Sequence, residues 1–379
     1  MKIIVAPDSF KDSLTAMRAS SVIEKSILNI LPNSEVIQIP ISDGGEGLLE
    51  ILIKVLGGKK IKLIVKDPLN RDVEAEFGIL NDNSTAIIEI AKSSGLEVLK
   101  LTERNPMITS SFGAGQLIKH ALDLGCKKII IGIGGSATND GGMGMVKALG
   151  ANFLDFNNQE VPEGGGSLNN IYKIDLSEFD QRISKCKIVV ACDVKSPLTG
   201  EFGASFVYGK QKGGSLEELN ILDKNLKHYA LKINEYTGVE VETIEGSGAA
   251  GGIGAGLLAF LNADLKSGID LMIEVLKVDQ YIKSADLVIT GEGKIDSQTL
   301  NGKAVSGIAS IAKKHKVPVI VLTGKIDNGI HEIYKHGVSS IFSIVTGPMT
   351  LEESIDKVEY LIQSSVENIM RLLIIKRDV

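Results

Sequence analysis

Short apolar runs and helically spaced apolar positions take turns along almost the whole chain. At the start, Lys2–Ala6 and Glu35–Ile39 read as strands, each followed by a helical pattern, Thr15–Leu31 and Glu46–Leu56. At the end the same rhythm returns, with strands over Asp286–Thr290, Val317–Thr323 and Ser340–Val345 and helices over Gly302–His315 and Leu351–Ile374. Strands alternating with helices predict a parallel sheet covered on both faces. The middle differs. Lys59–Val65, Val73–Ile79 and Thr85–Ile90 are β-rich and closely spaced, with turn residues at Pro68 and Asn81–Ser84, which predicts antiparallel pairing. Helical patterns at Gly115–Leu124 and Leu216–Thr237 and apolar runs at Ile129–Ile133 and Lys187–Cys192 follow. The expected fold class is α/β in two domains. A discontinuous parallel-sheet domain takes residues 1–68 and 285–379, and a second α/β domain, 69–284, is inserted into it. Ligands are expected in the crevice between domains and at the carboxyl ends of strands.

Composition narrows the function. A length of 379 residues suits two domains. Aromatic residues make up 4% and Trp is absent, so the core is aliphatic and there is no stacking platform for bases. The net charge of −6 argues against a nucleic-acid partner, which needs a basic face. Three cysteines without a CxxC make no disulfide framework and fit a reducing cytoplasm. The opening MKIIVAPDSF turns polar too soon for a signal peptide, and no run approaches the ~20 apolar residues of a membrane span, so no membrane association is expected.

The densest chemistry lies in Lys127–Gly144, KKIIIGIGGSATNDGGMG. An apolar strand runs into a loop carrying Gly134, Gly135, Ser136, Thr138, Asn139, Asp140, Gly141 and Gly142. Glycines let the backbone approach a ligand, and hydroxyls, an amide and one carboxylate suit a phosphate with its metal. A plain turn without a ligand is the simpler reading, but it needs only one or two glycines. Other strand ends are similar. After the first comes Asp8-Ser9-Phe10-Lys11-Asp12-Ser13, where helix capping explains the hydroxyls but not Asp8 or Lys11; a lysine beside a helix N-terminus is favourable only with an anion present. Ser42-Asp43-Gly44-Gly45-Glu46-Gly47 and Gly291-Glu292-Gly293-Lys294-Ile295-Asp296 read as two acidic glycine turns, suited either to Mg²⁺ or to helix capping by Asp43 and Asp296. Asp193, at the end of Lys187–Cys192, is a candidate general base, whereas Cys192 reads as buried filler because no histidine lies nearby in sequence. Tyr208–Gly214 is a basic turn that either meets a phosphate or is solvated, with solvation favoured.

Two stretches fit a dinucleotide fingerprint, Gly132–Ala137 as G-x-G-x-x-A and Gly246–Gly251 as G-x-G-x-x-G; in the second the continuing Gly252, Gly254 and Gly256 suit close helix packing or a wider anion nest. They keep an NAD-dependent oxidoreductase acting on a small hydroxy acid as the alternative. There is no Walker A motif and no protein-kinase catalytic loop, and the histidines lack zinc spacing. The residues alone support an enzyme that handles phosphate and metal, without naming its substrate.

The motifs in order resemble those of the bacterial glycerate kinases that are neither P-loop nor protein kinases. The matching stretches are APDSFKDSL (Ala6–Leu14), SDGGEG (Ser42–Gly47), ERNPMITSSFGAGQLI (Glu103–Ile118), IGIGGSATNDGGMGM (Ile131–Met145), ACDVKSPLTG (Ala191–Gly200), YGKQKGG (Tyr208–Gly214), GSGAAGGIGAGLLAFL (Gly246–Leu261) and ITGEGKIDSQTLNGKA (Ile289–Ala304). Ser196, Leu48 and Lys210 stand where the family more often has Asn, Thr and Pro.

The resemblance implies transfer of the ATP γ-phosphoryl group to D-glycerate with Mg²⁺, the usual product being 2-phosphoglycerate. It also implies two α/β domains, one Rossmann- or flavodoxin-like and discontinuous. Within that chemistry Asp193 is expected to take the glycerate hydroxyl proton, Glu292 and Asp296 to hold Mg²⁺, and Lys11 and Lys303 to neutralise phosphate or carboxylate. Asp8, Ser9, Asp43, Gly44, Gly45, Gly134, Gly135, Ser136, Asn139, Asp140, Gly251, Gly252, Gly291 and Gly293 are expected to bind substrate or phosphate. The oligomeric state, and which glycine loop takes ATP, stay open.

Overall fold

The computed structural model describes residues 1–42, 47–296, 299, 303–327 and 329–375. Its strands, in chain order, are β1 (Lys2–Val5), β2 (Glu35–Gln38), β3 (Gly58–Lys66), β4 (Asp72–Leu80), β5 (Thr85–Glu89), β6 (Lys128–Gly132), β7 (Asn152–Leu154), β8 (Lys173–Asp175), β9 (Lys187–Ala191), β10 (Asp264–Lys266), β11 (Leu287–Ile295), β12 (Val319–Ile326) and β13 (Ser340–Ser343). The chain divides into two compact units, Met1–Asp43 with Ser267–Val379, and Gly44–Lys266.

The terminal unit holds a five-stranded sheet, β13-β12-β11-β1-β2, in which every neighbouring pair is parallel. Taken from β2 this is the flavodoxin-type order 2-1-3-4-5, and the winding direction reverses between β1 and β11. On one face Ile3, Val5, Leu287, Ile289, Ile320 and Leu322 share a core with Ala19, Ile23 and Ile27 of the helix Ala16–Ile30 and with Leu361, Ile362, Val366, Ile369 and Met370 of the helix Val358–Ile375. These positions recur every three or four residues, so one stripe of each helix is buried. Thr15 starts the first helix by accepting the Arg18 N–H (3.2 Å). The expected closing helix over 351–374 is two helices, because Thr350 and Glu353 cap Leu351–Asp356 and Lys357 leaves helical geometry before Val358.

The middle unit holds a six-stranded sheet, β10-β9-β6-β5-β4-β3, with β5, β6, β9 and β10 parallel and β3, β4 and β5 antiparallel; β7 and β8 pair separately. Both expected domain boundaries shift. β3 pairs antiparallel with β4 along its whole length, from Gly58↔Leu80 to Lys66↔Asp72, as its spacing predicts, so the expected cut after residue 68 separates two paired strands. The helix Leu48–Leu56 goes with it: Gly78 on β4 leaves the room that Leu49 and Ile53 occupy, a β-carbon there falling 2.6 Å from Leu49 Cδ1. At the other boundary the helix Gly268–Leu276 joins the terminal unit, where Ile269 fills the space over Gly307. No helix among the described residues is long and apolar enough to cross a membrane.

Candidate active site

Parallel strands bring their carboxyl ends to one edge of each sheet, and the candidate residues gather there. In the terminal unit the junction of β1 and β11 is the topological switch point, where open α/β sheets bind ligands. The Asp8 N–H donates to Gly291 O (2.9 Å), and the Thr290 hydroxyl donates to Ala6 O (2.7 Å), tying the two strand ends together. Ser9 and Lys11 are exposed on the loop that follows, and a β-carbon on Gly293 would come within 3.2 Å of Lys11 N. The structure thus brings Asp8, Ser9, Lys11, Gly291, Glu292 and Gly293 into one neighbourhood.

One expectation fails in form. Gly291-Glu292-Gly293 is not a turn: β11 continues through it, with Gly291↔Leu322, Glu292↔Thr323 and Lys294↔Lys325 in register with β12. Glycine is needed at 291 because the Leu322 carbonyl lies where a side chain would start. Glu292 accepts from the Thr299 hydroxyl (2.8 Å), which in turn accepts the Asp296 N–H (3.2 Å). Asp296 also meets Lys294 (3.1 Å), whose ammonium reaches Asp327 (2.7 Å). Lys303 occupies the N-cap position of the helix Ala304–Lys314. Asp43, Gly44 and Gly45 lie outside the described residues.

In the middle unit, register places Glu89, Gly132, Ala191 and Lys266 in one row across β5, β6, β9 and β10. Asp193 and Gly134 each lie two residues beyond that row, and both are exposed. The loop after β6 turns inward. Gly134 and Gly135 face solvent, while Ser136 through Asp140 are buried. Asp140 holds the loop's shape. Its carboxylate accepts from the Ser111 N–H (2.8 Å), the Ser111 hydroxyl (2.7 Å), the Gly142 N–H (3.2 Å) and the Gly144 N–H (3.2 Å). Burial pushes its carboxyl up and those donors oppose the push. The Asn139 amide donates to Ser205 Oγ (2.9 Å), while its Oδ1 and the Thr138 hydroxyl are buried without a partner.

Gly251 and Gly252, expected at a phosphate, are buried against this loop instead. Ala250, Gly251 and Gly252 are all left-handed (φ 56°, 71° and 89°). A β-carbon on Gly251 would collide with the Thr138 carbonyl, and one on Gly252 would sit 2.8 Å from Gly141 Cα. Bare α-carbons are required for backbone to lie on backbone. Gly251→Ala should therefore lower unfolding stability by about 2–4 kcal/mol, from overpacking plus left-handed strain, and thermal melting checks it.

The dinucleotide alternative loses its structural context. The fingerprint requires a strand, a glycine turn and an immediate helix. After β6 no helix begins until Met143, and Gly246–Gly251 follows the helix Leu216–Thr237 with no strand between them. Cys192 behaves as filler: its thiol is pushed up to about 11 by burial and donates to Val194 O (3.3 Å).

Two residues escaped the sequence reading. Lys212, expected in a solvated turn, is 1% exposed; its ammonium donates to Ser136 Oγ (2.8 Å) and Thr138 O (2.7 Å) beneath the glycine loop. Lys210 and Gln211 do face solvent, and nothing in the run Lys-Gln-Lys marks the third residue as different. Glu89, buried at the end of β5, accepts the Leu49 N–H (3.2 Å) at the start of the helix Leu48–Leu56; burial raises its carboxyl. Its place at a strand end was the available signal.

Comparison with known proteins agrees with this architecture. A sequence model of the glycerate kinase family matches residues 3–374. A glycerate kinase of Bacillus subtilis (strain 168) is 46% identical over 94% of this chain and 93% of its own length. A glycerate 2-kinase of Escherichia coli (strain K12) is 47% identical over 93% of each. The crystal structure of a candidate glycerate kinase 2 from Salmonella typhimurium LT2 covers 100% of both chains with a TM-score of 0.91 and 42% identity.

Proposed function

The chain belongs to the glycerate kinase family, and from that premise we propose how its residues phosphorylate D-glycerate, with ATP as donor and 2-phosphoglycerate as product. The observation that carries the reading is the β1–β11 switch point, where a lysine-bearing loop adjoins an acidic strand end. Phosphoryl transfer needs alignment and charge neutralisation more than covalent help. Lys11, exposed on that loop, is assigned to phosphate oxygens. Lys303, at the N-cap of the helix Ala304–Lys314, is assigned to the phosphate or carboxylate charge that a helix N-terminus favours.

Glu292 and Asp296 offer the donor set that Mg²⁺ takes in such enzymes, one or two carboxylates with the substrate's phosphates completing the shell. The Lys294 contact to Asp296 is a partly exposed ion pair, weak enough to yield to a metal. Bound there, the metal would offset negative charge on the transferring phosphoryl group.

In the middle unit we assign the exposed amides of Gly134 and Gly135, with the Ser136 hydroxyl, to gripping an anionic group of the substrates. Asp140 is assigned the support of that loop and Asp193 the acceptance of the glycerate hydroxyl proton. All three cysteines are free thiols, the state a reducing cytoplasm maintains. The deciding experiment is ADP release with D-glycerate, L-glycerate and other hydroxy acids, with ³¹P NMR of the product. Turnover restricted to D-glycerate and a phosphate on C2 is expected; a phosphate on C3, or a preference for another acid, overturns the assignment.

A further inference from the structure

The Lys212 amino group is enclosed in protein, and among the described residues no carboxylate lies within ion-pair distance of it. It has three N–H donors, and two have acceptors, Ser136 Oγ and Thr138 O. An ammonium can only donate, so Ser136 accepts from it, and the Ser136 proton must be directed elsewhere. Ser136 is 5% exposed and follows the exposed pair Gly134 and Gly135, and among the described residues its hydroxyl meets no acceptor.

We propose that Lys212 is a positioning residue for anion binding: from beneath the glycine loop it fixes the Ser136 hydroxyl as a donor toward the negatively charged group the loop grips, and it supplies the buried positive charge that group meets. This rests on the anion-gripping role assigned to Gly134–Ser136. The anion is a carboxylate or phosphate, contributed by glycerate or by ATP.

The surroundings support the assignment. Burying an ammonium is unfavourable unless a counter-charge arrives. Burial brings the Lys212 pKa down to about 7, with Asp140, on the loop above, pulling it back up. From the helix Leu216–Thr237 the Tyr229 hydroxyl is buried near the same carboxylate and held neutral, its own pKa raised well above the usual value. Arg104 lies on the other side of the turn, its Nη1 3.5 Å from Gln211 O, and Lys210 beside it is exposed. An arriving anion favours the ammonium form, so binding above neutral pH draws a proton into the site.

The test uses the full-length enzyme, with wild-type turnover of D-glycerate as the control for the functional reading itself. KM for D-glycerate and for ATP is measured from pH 6 to 9 in wild type, Lys212→Met and Ser136→Ala, with melting curves to establish folding. Wild-type kcat/KM for one substrate should fall as pH rises above about 7, where Lys212 loses its proton. Lys212→Met should raise KM for that substrate by about 10- to 100-fold, the scale of a lost charged hydrogen bond, leave the other KM within about twofold and flatten the pH profile. Ser136→Ala should raise the same KM but keep the pH profile. Which KM moves identifies the source of the anion. A folded Lys212→Met enzyme with both KM values and the pH profile unchanged overturns the proposal. Should Lys212→Met not fold, calorimetry of wild-type protein at pH 8, in buffers of different ionisation enthalpy, decides: proton uptake on binding glycerate or ADP supports it, and none with either refutes it.

Discussion

Replacing Asp193 by Asn should lower kcat by about 10²- to 10⁴-fold, the range for loss of a general base, while ATP binding persists. Asp193 stands two residues past the row Glu89, Gly132, Ala191 and Lys266, at the carboxyl edge where parallel strands present their chemistry. It is exposed, so a substrate hydroxyl can reach it, and Asn keeps its volume while removing its basicity. Its neighbour Cys192 offers no substitute, with its thiol held protonated by burial. Steady-state kinetics with nucleotide binding measured separately checks the prediction. Near-normal turnover would move the proton-accepting role to another residue.

The second large effect is on folding. Asp140→Ala should destabilise the protein by about 3–5 kcal/mol, because four buried donors lose their acceptor together and each unsatisfied donor costs about 1–3 kcal/mol before relaxation. The donors come from three residues in two places: the amide and hydroxyl of Ser111, and the Gly142 and Gly144 amides at the start of the helix Met143–Ala148. Removing their common partner loosens the glycine loop from both sides. Denaturant unfolding reads the loss; a change under about 1 kcal/mol would mean that water replaces the carboxylate at once. Asp140→Asn is the milder variant. It withdraws the charge that holds Lys212 up against burial, so the pH above which anion binding weakens should move down.

The architecture was largely legible because parallel α/β folding writes itself into apolar spacing. The helix Leu216–Thr237 has the predicted bounds, marked by Ser215 and Glu218 at one end and Gly238 at the other. Where boundaries failed, pairing was not the missing information: the antiparallel pairing of Gly58–Lys66 with the next strand is legible, and the cut at residue 68 ignored it. At the candidate site the sequence shows which residue types cluster, and not how deep each one lies. Asp140 was visible as a carboxylate among glycines, but its orientation depends on Ser111, which sequence alone does not bring near. The tract through Gly251 and Gly252 suits close packing or an anion nest equally in the sequence, because glycines that approach a phosphate and glycines that approach another backbone look alike. Lys212 was read as solvated because burial of a lysine is a property of what folds over it.

The pairing of β1 with β11 reaches beyond the finished enzyme. Lys2 N–H donates to the Asp286 carboxylate, 284 residues away in the chain. On the ribosome, the first strand emerges long before its central neighbour is made. The segment Gly44–Lys266 has every strand of its own sheet by then and can close first. Until Leu287–Ile289 is translated, one hydrogen-bonding edge of β1 stays open, and a nascent chain stalled before that point exposes an apolar strand to self-association.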